Sequence, residues 1–315
     1  MKLNKPEKLQ KGDKIGLVCP SFCTDQNKIT DTVKLLEELG FEVKLGKSVC
    51  AKNDYLAGND ELRKNDLEDM FSDSSVKGII CQQGGYGATR LLDMLDYEVI
   101  RKNPKFFLGY SDITALNNAF YKLCGLPSYQ GKIGAQLPAV KKDKFSYDDY
   151  LQTLFSNTKN RLLKNPTTHK AYTITKGIAE GILVGGNLSL IYALMGTPYE
   201  IDFKDKIILL EDVSEKPYAI DRMLQSLKLS GKLKEAKGFI VGQFTDCESA
   251  GTSPNEVIRD IPYLMNEFLG SLDVPVLANF CNGHDMPYIN LPIGLKVCLN
   301  ASNHTVTILE DFFKQ

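Results

Sequence analysis

The chain has no tryptophan, only three histidines, no Cys-x-x-Cys pair and no long run of charge of one sign, and each shortage narrows what it can do. Its 38 basic and 39 acidic residues nearly cancel, which leaves no electrostatic grip for nucleic acid or an anionic membrane. No uninterrupted apolar stretch approaches the ~20 residues of a membrane span. The opening Met1-Lys2-Leu3-Asn4-Lys5-Pro6-Glu7-Lys8 lacks the apolar core of a secretion signal. A cytoplasmic protein is therefore expected, with no nucleic-acid or membrane partner. Structural zinc sites group their ligands in pairs, whereas Cys19 and Cys23 have no further Cys or His near them in sequence, so no metal is expected. Cys19 and Cys81 sit inside apolar runs, as small buried thiols of a reducing compartment do.

What is present fits two domains: 315 residues is long for one, and 43% hydrophobic residues can supply two cores. Short apolar runs at 14–19, 41–45, 77–82 and 106–110 alternate with helical spacings at 29–39, 62–71, 88–95 and 112–123. That alternation predicts a largely parallel sheet covered on both faces. Residues 141–175 turn polar, with one helix at 147–155, and read as a linker region. The pattern restarts at 176, with strands at 178–184, 207–210, 239–241 and 275–278. Pro217 opens one helix, and Ser253-Pro254-Asn255-Glu256 reads as a capping box for another running to Phe268. Residues 291–299 and 304–309 alternate like a β-hairpin. The expected fold is α/β: a Rossmann/flavodoxin-like N-terminal domain over 1–140, then a mixed C-terminal domain with antiparallel strands over 176–315.

Chemistry gathers where strands end. In Phe106-Phe107-Leu108-Gly109-Tyr110-Ser111-Asp112-Ile113-Thr114 a strand passes into a helix within two residues, and Ser111 sits on the turn. Half of a G-x-S-x-G elbow is there, with Ile113 in place of the second glycine. A serine at a helix start is also a common N-cap. Gln82-Gln83-Gly84-Gly85-Tyr86-Gly87-Ala88 lets backbone amides approach a ligand. It lacks the Lys-Ser/Thr of a P-loop, which leaves an oxyanion-binding turn or a plain connection. Of the histidines, His169 falls in the polar linker and His304 in a hairpin turn. His284 follows an apolar strand and is the best of the three as a general base. Ile207 to Leu210 carries both Glu211 and Asp212 at its end, and spacing does not choose between them; Glu215 is expected to pair with Arg222.

Leu108 to Leu116 resembles the nucleophile segment of the LD-carboxypeptidase family, which includes the microcin C immunity peptidases. Gly84 to Leu92 resembles its glycine-rich turn, and Gly181 to Leu188 the segment that opens its second domain. Leu210 to Val213 with Asp221 to Leu224 resembles the acid-bearing segment, and Gly283-His284 the histidine turn. Lys11 to Gly16 and Pro20-Ser21 resemble the family's start. Six motifs in one order span residues 9 to 299.

The resemblance implies Ser111 as nucleophile, Glu211 as the acid that orients the base, and His284 as that base. It implies an oxyanion hole from the backbone N–H groups of Gly85 and Asp112, substrate contacts from Tyr86 and Asn187, a homodimer, and no cofactor. Because Ser111 falls in the first half and the other two in the second, both domains would complete the site. The implied activity releases a C-terminal D-amino acid from cytoplasmic murein tetrapeptide; its rival within the family is cleavage of a peptidyl-nucleotide antibiotic. Two departures bear on substrate: without tryptophan there is no indole contact, and Val184 stands where several relatives carry an aromatic. Outside the family, a non-catalytic small-molecule binding protein or an unrelated α/β-hydrolase with the same Ser…Glu…His order is the alternative.

Overall fold

The computed structural model describes residues 2–248 and 259–314. They form two compact units. The first takes the residues up to Thr158, Asn290–Gly294 and those from Asp311; the second takes Lys159–Ile289 and Leu295–Glu310.

In the first unit, β1 (Lys14–Val18), α1 (Gln26–Glu38), β2 (Glu42–Leu45), α2 (Asp60–Ser72), β3 (Val76–Cys81), α3 (Tyr97–Lys102), β4 (Phe106–Gly109), α4 (Thr114–Cys124) and β5 (Ser128–Gln130) follow in turn. The strands pair in parallel in the order β2-β1-β3-β4-β5, the flavodoxin-like winding. β4 is buried throughout and β3 at all but Lys77, as strands covered on both faces must be. α5 (Leu137–Lys142) and α6 (Lys144–Phe155) also belong to this unit, although the sequence from 141 reads as linker.

The second unit contains β6 (Leu162–Leu163), β7 (Tyr172–Thr175), β8 (Ile178–Asn187), α7 (Leu188–Ala193), β9 (Lys206–Val213), α8 (Pro217–Leu229), α9 (Lys232–Glu235), β10 (Gly238–Thr245), α10 (Ile261–Leu269) and β11 (Val276–Ala278). β8-β9-β10-β11 is a parallel core. After β12 (Leu291–Ile293), β13 (Lys296–Asn300) and β14 (Thr305–Ile308) form an antiparallel hairpin on β8, with β6 beyond it, and β7 pairs antiparallel with β11. Each unit has the α/β character expected of its half: parallel and flavodoxin-like in the first, mixed with antiparallel strands in the second.

Three local expectations change. The helix expected at 88–95 is only a 3-10 turn, Ala88–Leu91. Residues 291–299 are not one strand. β12 pairs with β5 in the first unit's sheet, and Gly294 at φ +90° ends it before β13 begins in the other sheet. The capping box at 253–256 lies outside the described residues; α10 is capped by Asp260, which accepts from the Tyr263 N–H at 2.9 Å. Among the described residues no helix is long and apolar enough to cross a membrane.

Candidate active site

β4 ends at Gly109, where a Cβ would stand 2.6 Å from Ile113 Cγ2, so the turn that follows can fold back this tightly only over glycine. Ser111 then adopts φ +62°, a left-handed conformation that costs a non-glycine residue about 1–2 kcal/mol. It opens a 3-10 turn, Ser111–Ile113, that runs straight into α4. The first N–H groups of such a helical start have no carbonyl partner within the helix and face outward.

The glycine turn after β3 lies against this serine. A Cβ on Gly84 would stand 3.5 Å from Ser111 Cβ and 3.7 Å from its Oγ. At Gly85, φ is +109° and a Cβ would fall 2.3 Å from the Phe22 ring. The Phe22 N–H donates to Gly84 O at 3.1 Å. β1, β3 and β4 are parallel neighbours, so the Pro20–Phe22 loop, the glycine turn and Ser111 all leave the carboxyl edge of one sheet. Tyr86 is 44% exposed, with its ring 6.2 Å from that of Tyr55. Asp112 turns inward; Oδ2 accepts from the Ser21 hydroxyl at 2.5 Å and the Ala88 N–H at 2.7 Å. Burial pushes its carboxyl up to about 6 against the pull of those two bonds.

In the second unit Glu211 is fully buried near the end of β9, and its Oε2 lies 2.9 Å from His284 Nδ1. Two glycines make that approach possible. A Cβ on Gly242 would strike Asn282 O at 2.0 Å, and one on Gly283 would stand 2.7 Å from Gln243 Cβ. At this point β10 shifts register against β9, and the Gln243 N–H donates instead to Asn282 O at 2.8 Å. Asn282 Nδ2 donates to the Tyr288 hydroxyl (3.0 Å) and Ile289 O (2.9 Å), and Thr245 Oγ1 donates to Asp285 Oδ2 (2.9 Å), which ties down both sides of the histidine.

Asp212 serves other partners. It accepts from Asn187 Nδ2 (2.9 Å), Ser189 N (2.9 Å), Ser189 Oγ (2.7 Å) and Val213 N (2.9 Å). Burial, and then the charge of Glu211, push its carboxyl up to about 6. Asn187 is itself buried and caps α7 by accepting from Leu190 N at 3.2 Å. The expected Glu215–Arg222 pair does not form: Glu215 accepts from Ser189 Oγ at 3.3 Å, and the Arg222 guanidinium sits 5.9 Å over the Tyr218 ring. His169 Nε2 is 3.1 Å from Asn279 Oδ1 and His304 Nε2 is 3.0 Å from Thr173 Oγ1, so neither adjoins a carboxylate as His284 does. Among the described residues no three His, Cys, Asp or Glu side chains gather as a metal group. Gly242 belongs to none of the sequence motifs, although a lone glycine in an apolar strand is the usual mark of close backbone approach.

The structure thus brings Glu211 to His284, and sets Ser111 against the glycine turn. Known proteins share this chain's plan along its length. The model of the LD-carboxypeptidase N-terminal domain matches residues 15–131, and that of the LD-carboxypeptidase C-terminal domain matches 180–299. The chain is 39% identical to a probable murein peptide carboxypeptidase of Bacillus subtilis, over 96% of this chain and 94% of the relative. It is 28% identical to the murein tetrapeptide carboxypeptidase of Pseudomonas aeruginosa, over 92% and 94%. The crystal structure of an MccF-like protein from Bacillus anthracis superposes with a TM-score of 0.83 at 31% identity, over 97% and 99%. With both domains matched in order and these relatives covered nearly end to end, the chain belongs to the LD-carboxypeptidase family of peptidases.

Proposed function

We propose that the protein is a serine peptidase that cleaves an L-to-D peptide bond and releases D-alanine from murein tetrapeptide in cell-wall recycling. The Glu211–His284 contact carries the reading. A buried carboxylate on Nδ1 favours the tautomer that carries its proton there, which makes Nε2 the basic nitrogen. In this mechanism His284 removes the Ser111 proton as the hydroxyl attacks the peptide carbonyl. The N–H groups of Gly85 and Asp112 receive the developing oxyanion. His284 then protonates the leaving amine, and water, activated by the same imidazole, releases the acyl group from Ser111. No step needs a metal or an organic cofactor. The names of the two relatives called murein peptide and murein tetrapeptide carboxypeptidase support the choice of substrate.

The test is incubation of the protein with murein tetrapeptide and, separately, with a peptidyl-nucleotide, read by mass. Tripeptide plus free D-alanine is the expected result. Cleavage of the nucleotide conjugate alone would move the assignment to an immunity-type peptidase. Ser111→Ala should lower kcat by roughly 10⁴–10⁶-fold; activity within tenfold of wild type would remove Ser111 as nucleophile.

A further inference from the structure

We propose that Asp112 is a positioning residue: together with Arg63, its buried side chain locks the glycine turn against the turn that carries Ser111. The argument starts from one peptide unit. Gly87 and Ala88 share a peptide plane, and the two ends of that plane are held by different side chains. Its carbonyl accepts from Arg63 Nη1 at 3.0 Å, and its N–H donates to Asp112 Oδ2 at 2.7 Å. The same two side chains grip the neighbouring loop. Arg63 Nη1 donates to Pro20 O, and the Ser21 hydroxyl donates to Asp112 Oδ2 at 2.5 Å.

Arg63 and Asp112 are both buried, at 0% and 1% exposure. Arg63 is set in turn by Asp60, which also binds Arg90. The plane they hold has little freedom to flip. Gly87 sits at φ +133°, and a Cβ there would meet Arg63 Nη1 at 2.6 Å. Rotation of this plane would carry the rest of the turn with it, including the Gly85 amide.

Packing alone does not account for a carboxylate here. Asp112 Oδ1 is buried with no hydrogen-bond partner, a costly arrangement that an apolar residue would avoid. What the carboxylate adds is a single oxygen that receives donors from two loops while its own backbone adjoins the serine. Asp112 therefore sets the distance between oxyanion donor and nucleophile. That role rests on the serine-peptidase reading above; the clamp itself does not.

The experiment pairs hydrogen exchange with kinetics on the full-length protein. In Asp112→Ala, amides of residues 84–88 should exchange at least tenfold faster, with β9 in the other unit unchanged. On murein tetrapeptide kcat should fall at least tenfold while KM stays within about threefold. Asp112→Asn, which keeps an oxygen able to accept both donors, should recover most of kcat and of the protection. If Asp112→Ala does not fold, Ser21→Ala removes one donor alone and should show the same two effects at smaller size. Unchanged exchange at 84–88, or equal losses in the Ala and Asn variants, overturns the proposal. So does faster exchange with unchanged kcat. If the wild type cleaves no such peptide, the exchange data still decide the clamp, and the functional reading alone falls.

Discussion

Glu211 and Asp212 are adjacent in sequence and yet face different partners, because successive side chains of a strand leave opposite faces. One meets His284; the other gathers donors from Asn187, Ser189 and its own neighbour Val213. Glu211→Gln should therefore lower kcat by roughly 10³–10⁴-fold, with little loss of stability. Asp212→Asn should do the reverse, lowering the melting temperature by several degrees and kcat by less than tenfold. Steady-state kinetics beside thermal melts separate the two, and comparable catalytic losses would show that the imidazole depends on both. Asp112 and Asp212 also make a pH prediction. Burial holds each near 6, above the ~3.9 of an unfolded aspartate. Between about pH 4 and 6 the folded state keeps protons that the unfolded chain has released, so the stability these groups contribute falls as pH rises through that window. Each can contribute at most ~1.4 kcal/mol per pH unit to the slope. Urea melts from pH 4 to 7 should show a shallower decline in Asp212→Asn than in wild type; a steeper one would contradict the assignment.

Glycines within strands and just beyond them decide what can approach what. Gly242 lets the His284 loop lie on β10, and a methyl group there would collide with Asn282 O. Gly242→Ala should displace His284 from Glu211 and cost on the order of 10²-fold in kcat, since a shift of about 1 Å in a catalytic group has that effect. A crystal structure of the variant with the Nδ1–Oε2 contact intact would refute this. Strand-to-helix junctions of this kind were readable from sequence: the run 106–110 followed by helical spacing marked Ser111, and the run 207–210 marked its carboxylates. The clamp around Asp112 was not readable, because Ser21, Arg63 and Ala88 come from three separate segments. Nor was β12. Residues 291–299 alternate without a break in apolar character, so pattern alone joins two strands that belong to different sheets. Gly294 is the one signal, and it is needed there because a Cβ would meet the Tyr121 ring at 2.5 Å.

At the scale of the molecule, the chain changes unit at 158/159, 289/290, 294/295 and 310/311. The first unit is thus not an N-terminal piece. β12 covers the edge of β5, and Phe312 stacks on Tyr129 with ring centroids 4.4 Å apart and meets Phe106 at 5.9 Å. A fragment of residues 2–158 loses that strand and the Phe312 ring, leaving an open edge beside exposed aromatics. It should aggregate or melt without a cooperative transition by near-ultraviolet circular dichroism; a sharp melt close to that of the intact protein would show the returning segments to be dispensable. The same connectivity sets a timetable for a chain leaving the ribosome. Synthesis proceeds at about 5–20 residues per second, so the stretch from Thr158 to Phe312 takes roughly 8–30 s. Throughout that interval the sheet bearing Ser111 has been made but lacks its last strand and its aromatic cover. The half translated first is completed last, and a ribosome that stalls before residue 290 releases a chain whose Ser111-bearing sheet has nothing to close it.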